Sequence, residues 1–149
     1  MLDLVLEFVH HLAVFSLVGV LAAEFALTRP GLSGRRLTQV GALDGAYGGL
    51  AGLIVIAGFA RVIWGDAGWD FYAGNWVFWT KIGLFVGAGL LSIRPTRAIF
   101  GWRRSAKADP GYVVPDEAVA ALRPWFLAEF ALLALIPIFA AMMARGIGL

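Results

Sequence analysis

The chain has 149 residues, 60% of them hydrophobic and 15% charged, with a net charge of +2 and a mean hydropathy of +0.81. This is too apolar for an ordinary soluble domain of its size and indicates an integral membrane protein. The basic residues sit in connecting segments rather than on an aromatic-laced face, so nucleic acid is not an expected partner, and the lack of cysteine excludes disulfides, thiolate metal sites and cysteine-held iron–sulfur clusters.

Four apolar runs, at about residues 4–27, 41–64, 75–93 and 122–144, are each long enough to cross a bilayer as a helix. The expected fold is therefore all-α: one integral membrane domain over residues 1–149, built as a four-helix transmembrane bundle. The first run is preceded by Asp3 rather than Lys or Arg and is longer than the apolar core of a signal peptide, so it reads as a span and not a cleaved leader.

The connection 28–40 carries Arg29, Arg35 and Arg36 with no acid, and 65–74 carries Asp66 and Asp70 with no base. The third connection, 94–121, holds Arg94, Arg97, Arg103, Arg104 and Lys107. By the positive-inside rule the first and third connections face the cytoplasm, which leaves both termini outside. Trp64, Trp69, Trp76 and Trp79 gather near the acidic connection, as aromatic anchors at a membrane interface do. Membrane lipid is the expected surrounding.

This topology sorts distant residues by depth. The outer half collects Glu7, His10, His11, Arg61, Lys81, Met142 and Met143. The inner half collects Glu24, Asp44, Arg123 and Glu129, whose mixed signs predict an inter-helix network of ion pairs and hydrogen bonds, or a proton path opening inward. His10, Val14, Leu17, Leu21 and Glu24 follow steps of three and four, so His10 and Glu24 share one stripe of the first helix. In the second span Gly41, Gly45, Gly48, Gly49 and Gly52 permit close approach of a neighbouring helix, from the same chain or from a second copy.

Ionisable groups at membrane depth are costly and turn toward partners, cavities or bound groups. An imidazole there can ligate iron, copper or zinc, relay a proton, or bond across helices. His10 and His11 differ by about 100° around a helix. They cannot both ligate one iron, and since the chain has no third histidine an intramolecular bis-histidine haem is excluded. What stays open is one histidine with Lys81, one with Met142 or Met143, a five-coordinate haem, or a haem shared between subunits. Lys81 is expected to pair with Glu7 or Asp70, or to hold an anionic group such as a haem propionate, and Arg61 lies nearer the interface, where its side chain can snorkel. No phosphate-binding loop, nucleophile elbow or His-Glu-x-x-His zinc motif is present, so familiar ATPases and hydrolases drop out.

The strings His10-His11-Leu12-Ala13-Val14-Phe15, Asp44-Gly45-Ala46-Tyr47-Gly48-Gly49, Phe71-Tyr72 to Asn75, Phe78-Trp79-Thr80-Lys81 and Leu90-Leu91-Ser92-Ile93-Arg94-Pro95-Thr96 resemble a bacterial family of small membrane proteins, domain of unknown function 2214. That resemblance covers nearly the whole chain and implies a fold and a membrane location, without an activity. More distantly, a histidine early in the first span with a lysine in the third resembles HemJ-type protoporphyrinogen oxidases and the CopD-like copper-resistance membrane domain. The former resemblance implies haem-related roles for His10 or His11 and for Lys81. The sequence departs from that pattern in having Leu27-Thr28-Arg29-Pro30 where the HemJ type commonly has Leu-Pro-Arg.

The favoured expectation is a protein that binds haem b or a related tetrapyrrole for redox work, with His10, His11, Lys81 and Arg61 as cofactor-binding candidates. One alternative is a non-enzymatic membrane protein, a homo-oligomer or a passage for a small solute or proton. The other is copper handling by His10, His11, Met142 and Met143, whose soft sulfur ligands suit copper(I).

Overall fold

The computed structural model describes residues 1–148. Among these, five helices and no strand are found: α1 (Leu2–Leu27), α2 (Gly34–Trp64), the short α3 (Gly68–Ala73), α4 (Trp76–Ala108) and α5 (Asp116–Ala144). The four long helices are each apolar and long enough to cross a membrane. A helix satisfies its own backbone N–H and C=O groups, which is what a lipid surrounding demands of a spanning segment.

The helices overrun the apolar runs that reveal them. α4 continues through Arg94, Pro95 and the basic residues up to Lys107, and α5 begins at Asp116, so most of the segment 94–121 is helix rather than connection. Hydropathy marks the part of a helix that needs lipid, whereas backbone hydrogen bonding carries the same helix on into water. The acidic connection likewise contains α3, whose Tyr72 packs with Val62 and Phe78 beneath it.

The chain folds as two hairpins. α1 lies along α2 and α4 along α5, and the hairpins meet through α2 against α4 and, over a shorter stretch, α1 against α5. The backbones of the diagonal pairs α1 with α4 and α2 with α5 do not approach each other closely among the described residues, although side chains such as Tyr47 of α2 and Glu129 of α5 meet across the core. Leu17, Leu21, Tyr47, Ile54, Ala88, Leu122, Phe126 and Leu133 make the central core.

Both ends are tied. The first and third connections lie at one end of the bundle, where Val114 N–H donates to the Leu32 carbonyl at 2.9 Å and Asp116 Oδ1 accepts from Gly31 N–H at 2.9 Å. Leu32, Leu37, Val40, Ile99, Val114 and Val119 form a second apolar cluster there. At the other end, Asn75 is fully buried (0% exposed); its side-chain oxygen accepts from Val77 N–H at 2.9 Å and caps α4. Trp79 Nε1 donates to the Ala73 carbonyl at 3.0 Å, and Trp64, Trp69, Trp76 and Trp79 all remain exposed.

The glycines of α2 are used unequally. The Arg103 side chain runs directly over Gly41, but nothing among the described residues lies within 4 Å of a β-carbon added to Gly45, Gly48, Gly49 or Gly52.

Candidate functional site

The two adjacent histidines have opposite surroundings. His11 is exposed, and its Nδ1 bonds the Glu7 carbonyl one turn back on its own helix at 2.9 Å. His10 turns toward α2, where its ring lies beside the Ile54 carbonyl and over Gly58. A β-carbon built on Gly58 would stand 3.3 Å from His10 Cε1 and 3.5 Å from Nδ1, with Nε2 beyond contact range. His10 Nδ1 is buried and has no hydrogen-bond partner among the described residues. The two rings meet edge to face, with centroids 5.9 Å apart.

Arg61, near the end of α2, reaches α1. Its Nε lies 3.8 Å from Asp3 Oδ1 and one terminal nitrogen 3.6 Å from Glu7 Oε1. Glu7 thus takes Arg61 as its partner rather than Lys81. Lys81, on α4, is partly buried, forms no ion pair among the described residues, and enters the layer of His10 and Arg61 from the opposite hairpin. Charge pairing therefore fastens the start of α1 to the end of α2, and Lys81 stays apart from it.

Met143 packs against the cluster of Val62, Tyr72 and Phe78, and the Met142 carbonyl accepts the backbone N–H groups of Arg145 and Ile147 at 3.1 Å each. Of the two histidines in the candidate copper set, His10 is half-buried against α2 and His11 is exposed. Among the described residues no three His, Asp or Glu side chains are grouped to hold a metal ion.

The inner layer brings Glu24 of α1, Asp44 and Tyr47 of α2 and Glu129 of α5 into one neighbourhood. Glu24 is 2% exposed and Glu129 1%, and neither Glu129 oxygen has a hydrogen-bond partner among the described residues. Asp44 Oδ1 accepts a 2.6 Å hydrogen bond from the Thr96 hydroxyl of α4. The expected ion pairing with Arg123 is not formed: its guanidinium stacks 4.4 Å from the centre of the Phe25 ring, on the outside of the bundle. A long cationic side chain gains more by covering an aromatic face at the bundle's edge than by desolvating itself beside a buried acid.

Asp44 and Tyr47 also line a cleft of about 280 Å³ between α2 and α4, with Ser92 and Thr96 on its far wall. Gly45, Gly48 and Gly89 keep its mouth open. Gly58, Asp3, Tyr47 and Thr96 were not singled out as site residues from the sequence. Of these, only Tyr47 carried a signal, since it stands three residues after Asp44 and so on the same helix face.

Residues 2–148 match the family described as "Predicted membrane protein (DUF2214)", and the chain belongs to it. No curated protein and no solved structure matches.

Proposed function

We propose that this DUF2214 membrane protein binds a b-type haem or a related tetrapyrrole in its outer layer, where the His10 imidazole would hold it. The observation that carries this reading is the His10 imidazole, turned into the bundle with its ring held at the Ile54 carbonyl and over Gly58, and with Nε2 the ring nitrogen farther from α2. Lys81 supports the reading because it reaches the same layer from α4, the helix diagonal to α1. Lys81 would either help to ligate the group or, together with Arg61, supply the positive charge that a propionate needs.

A bound haem would supply one-electron chemistry to the membrane. The chain's contribution is to aim one imidazole, seat it on Gly58, and turn the other away on the Glu7 carbonyl. In the same reading the protein sits in a bacterial inner membrane with both termini outside, oriented by the basic residues around its tied end.

The test is expression with a haem precursor, followed by oxidised and reduced absorption spectra of the wild type and of His10→Ala, His11→Ala and Lys81→Met. A stoichiometric haem spectrum abolished by His10→Ala and kept by His11→Ala supports the assignment. Lys81→Met distinguishes its roles: a changed ligand-field pattern means ligation, an unchanged spectrum with weaker retention means a charge contact.

A second reading, assembly with another copy, is favoured by the uncovered glycine face Gly45, Gly48, Gly49 and Gly52 of α2. Crosslinking of Gly49→Cys in membranes tests it. A dimer formed by Gly49→Cys and lost when Gly45→Leu is added would support it.

A further inference from the structure

Independently of any cofactor in the outer layer, the inner half of the bundle holds buried carboxyls with no base to answer them. α1 contributes Glu24, α2 contributes Asp44 and Tyr47, and α5 contributes Glu129. The basic groups facing this region are Arg103 of α4, extended over Gly41 and nearest to Asp44, and Arg123 of α5, stacked on Phe25. Neither makes an ion pair with the cluster among the described residues. Glu129, 1% exposed and with both oxygens unpartnered, is aimed into this group.

Two further observations bear on what the cluster takes. The carboxyls are not close enough together to hold a metal ion. A tyrosine stands next to Glu129 and also lines the α2–α4 cleft, as does Asp44 one turn away. In a lipid surrounding an ionised carboxyl without a counter-charge is strongly disfavoured, and the smallest group able to neutralise one is a proton. Tyrosine can accept a proton on its oxygen while giving up the one it carries.

We propose that Glu129, with Glu24 beside it, is a proton-exchanging site loaded from the α2–α4 cleft through Asp44 and Tyr47. A proton taken from the cleft binds the Asp44 carboxylate, whose position is fixed by the Thr96 hydroxyl. Asp44 then passes its proton to the Tyr47 oxygen as Tyr47 passes its hydroxyl proton to the Glu129 carboxylate. The step ends with Asp44 ionised again, Tyr47 neutral and Glu129 protonated; the reverse order unloads the site. Asp44 and Tyr47 are in this account relay groups, and Thr96 a positioning residue.

The experiment is infrared difference spectroscopy of the full chain in lipid nanodiscs after a pH jump. The expected result is a protonated-carboxyl band that appears and disappears reversibly with pH and is lost in Glu129→Gln. Tyr47→Phe is expected to keep that band and slow its exchange by about a hundredfold. Asp44→Asn, with the outer layer untouched, should slow it likewise. If Glu129→Gln does not fold, the two relay variants still decide the matter through the rate alone. A carboxyl band that ignores pH, or a Tyr47→Phe protein that exchanges at the wild-type rate, overturns the proposal. Haem spectra recorded on the same samples separate its failure from that of the outer-layer reading.

Discussion

The His10 ring occupies the space that a side chain on Gly58 would fill, 3.3 Å from the position of that missing β-carbon. Glycine inside a helix costs roughly 1 kcal/mol relative to alanine, so a glycine at this position gives up helix stability for a seat against which an imidazole can pack. The seat fixes which of two neighbouring histidines faces the bundle.

Gly58→Leu is accordingly expected to push His10 off α2. Overpacking of this kind costs about 1–3 kcal/mol, which should lower the thermal unfolding midpoint in detergent by several degrees. Gly58→Leu combined with His10→Ala should recover much of that loss, whereas an unchanged midpoint in Gly58→Leu alone would show that the contact is not tight.

Arg61 ties the start of α1 to α2 through Asp3 at 3.8 Å and Glu7 at 3.6 Å. These groups are partly exposed, and pairs of that kind contribute about 0.2–1 kcal/mol each. Arg61→Ala should therefore lower stability by about 1 kcal/mol at low salt and by less at high salt. Equal losses at both salt concentrations would mean that Arg61 acts through packing of its stem instead.

The 2.6 Å bond from Thr96 to Asp44 joins the two hairpins across the cleft. Thr96→Val removes the donor and keeps the shape. Hydrogen bonds to a charged acceptor contribute about 1.5–3 kcal/mol, so a loss of that order is expected, with Thr96→Ser restoring most of it. Chemical denaturation in mixed micelles measures both variants, and equal stability of Thr96→Val and wild type would contradict the contact.

Glu129 is buried without a partner, a condition that favours function over stability. Replacing an unsatisfied buried carboxyl with an apolar side chain of similar volume removes a penalty of about 1–3 kcal/mol, so Glu129→Leu should raise the unfolding midpoint. A lower midpoint would show that Glu129 makes a stabilising contact.

The architecture was legible because a spanning helix needs a long apolar run, and four such runs are present. The helix ends were not: Arg94 to Lys107 is polar enough to read as a connection, yet α4 passes through it, since hydropathy reports on lipid contact and not on backbone bonding. Adjacent positions His10 and His11 have identical chemistry, and only tertiary contacts with Gly58 and the Glu7 carbonyl distinguish them. Glu24, Asp44 and Glu129 share one neighbourhood, but which residues pair within a layer did not follow from depth. Arg61 rather than Lys81 meets Glu7, and Arg123 prefers the Phe25 ring to the buried acids, because reach and desolvation decide pairing among residues at one level.

The most direct measurement is the absorption spectrum of the haem-replete protein, oxidised and reduced, beside His10→Ala and His11→Ala. A stoichiometric haem spectrum that His10→Ala abolishes and His11→Ala preserves is the predicted result. No haem in the wild type, or a spectrum indifferent to His10→Ala, would contradict the outer-layer site.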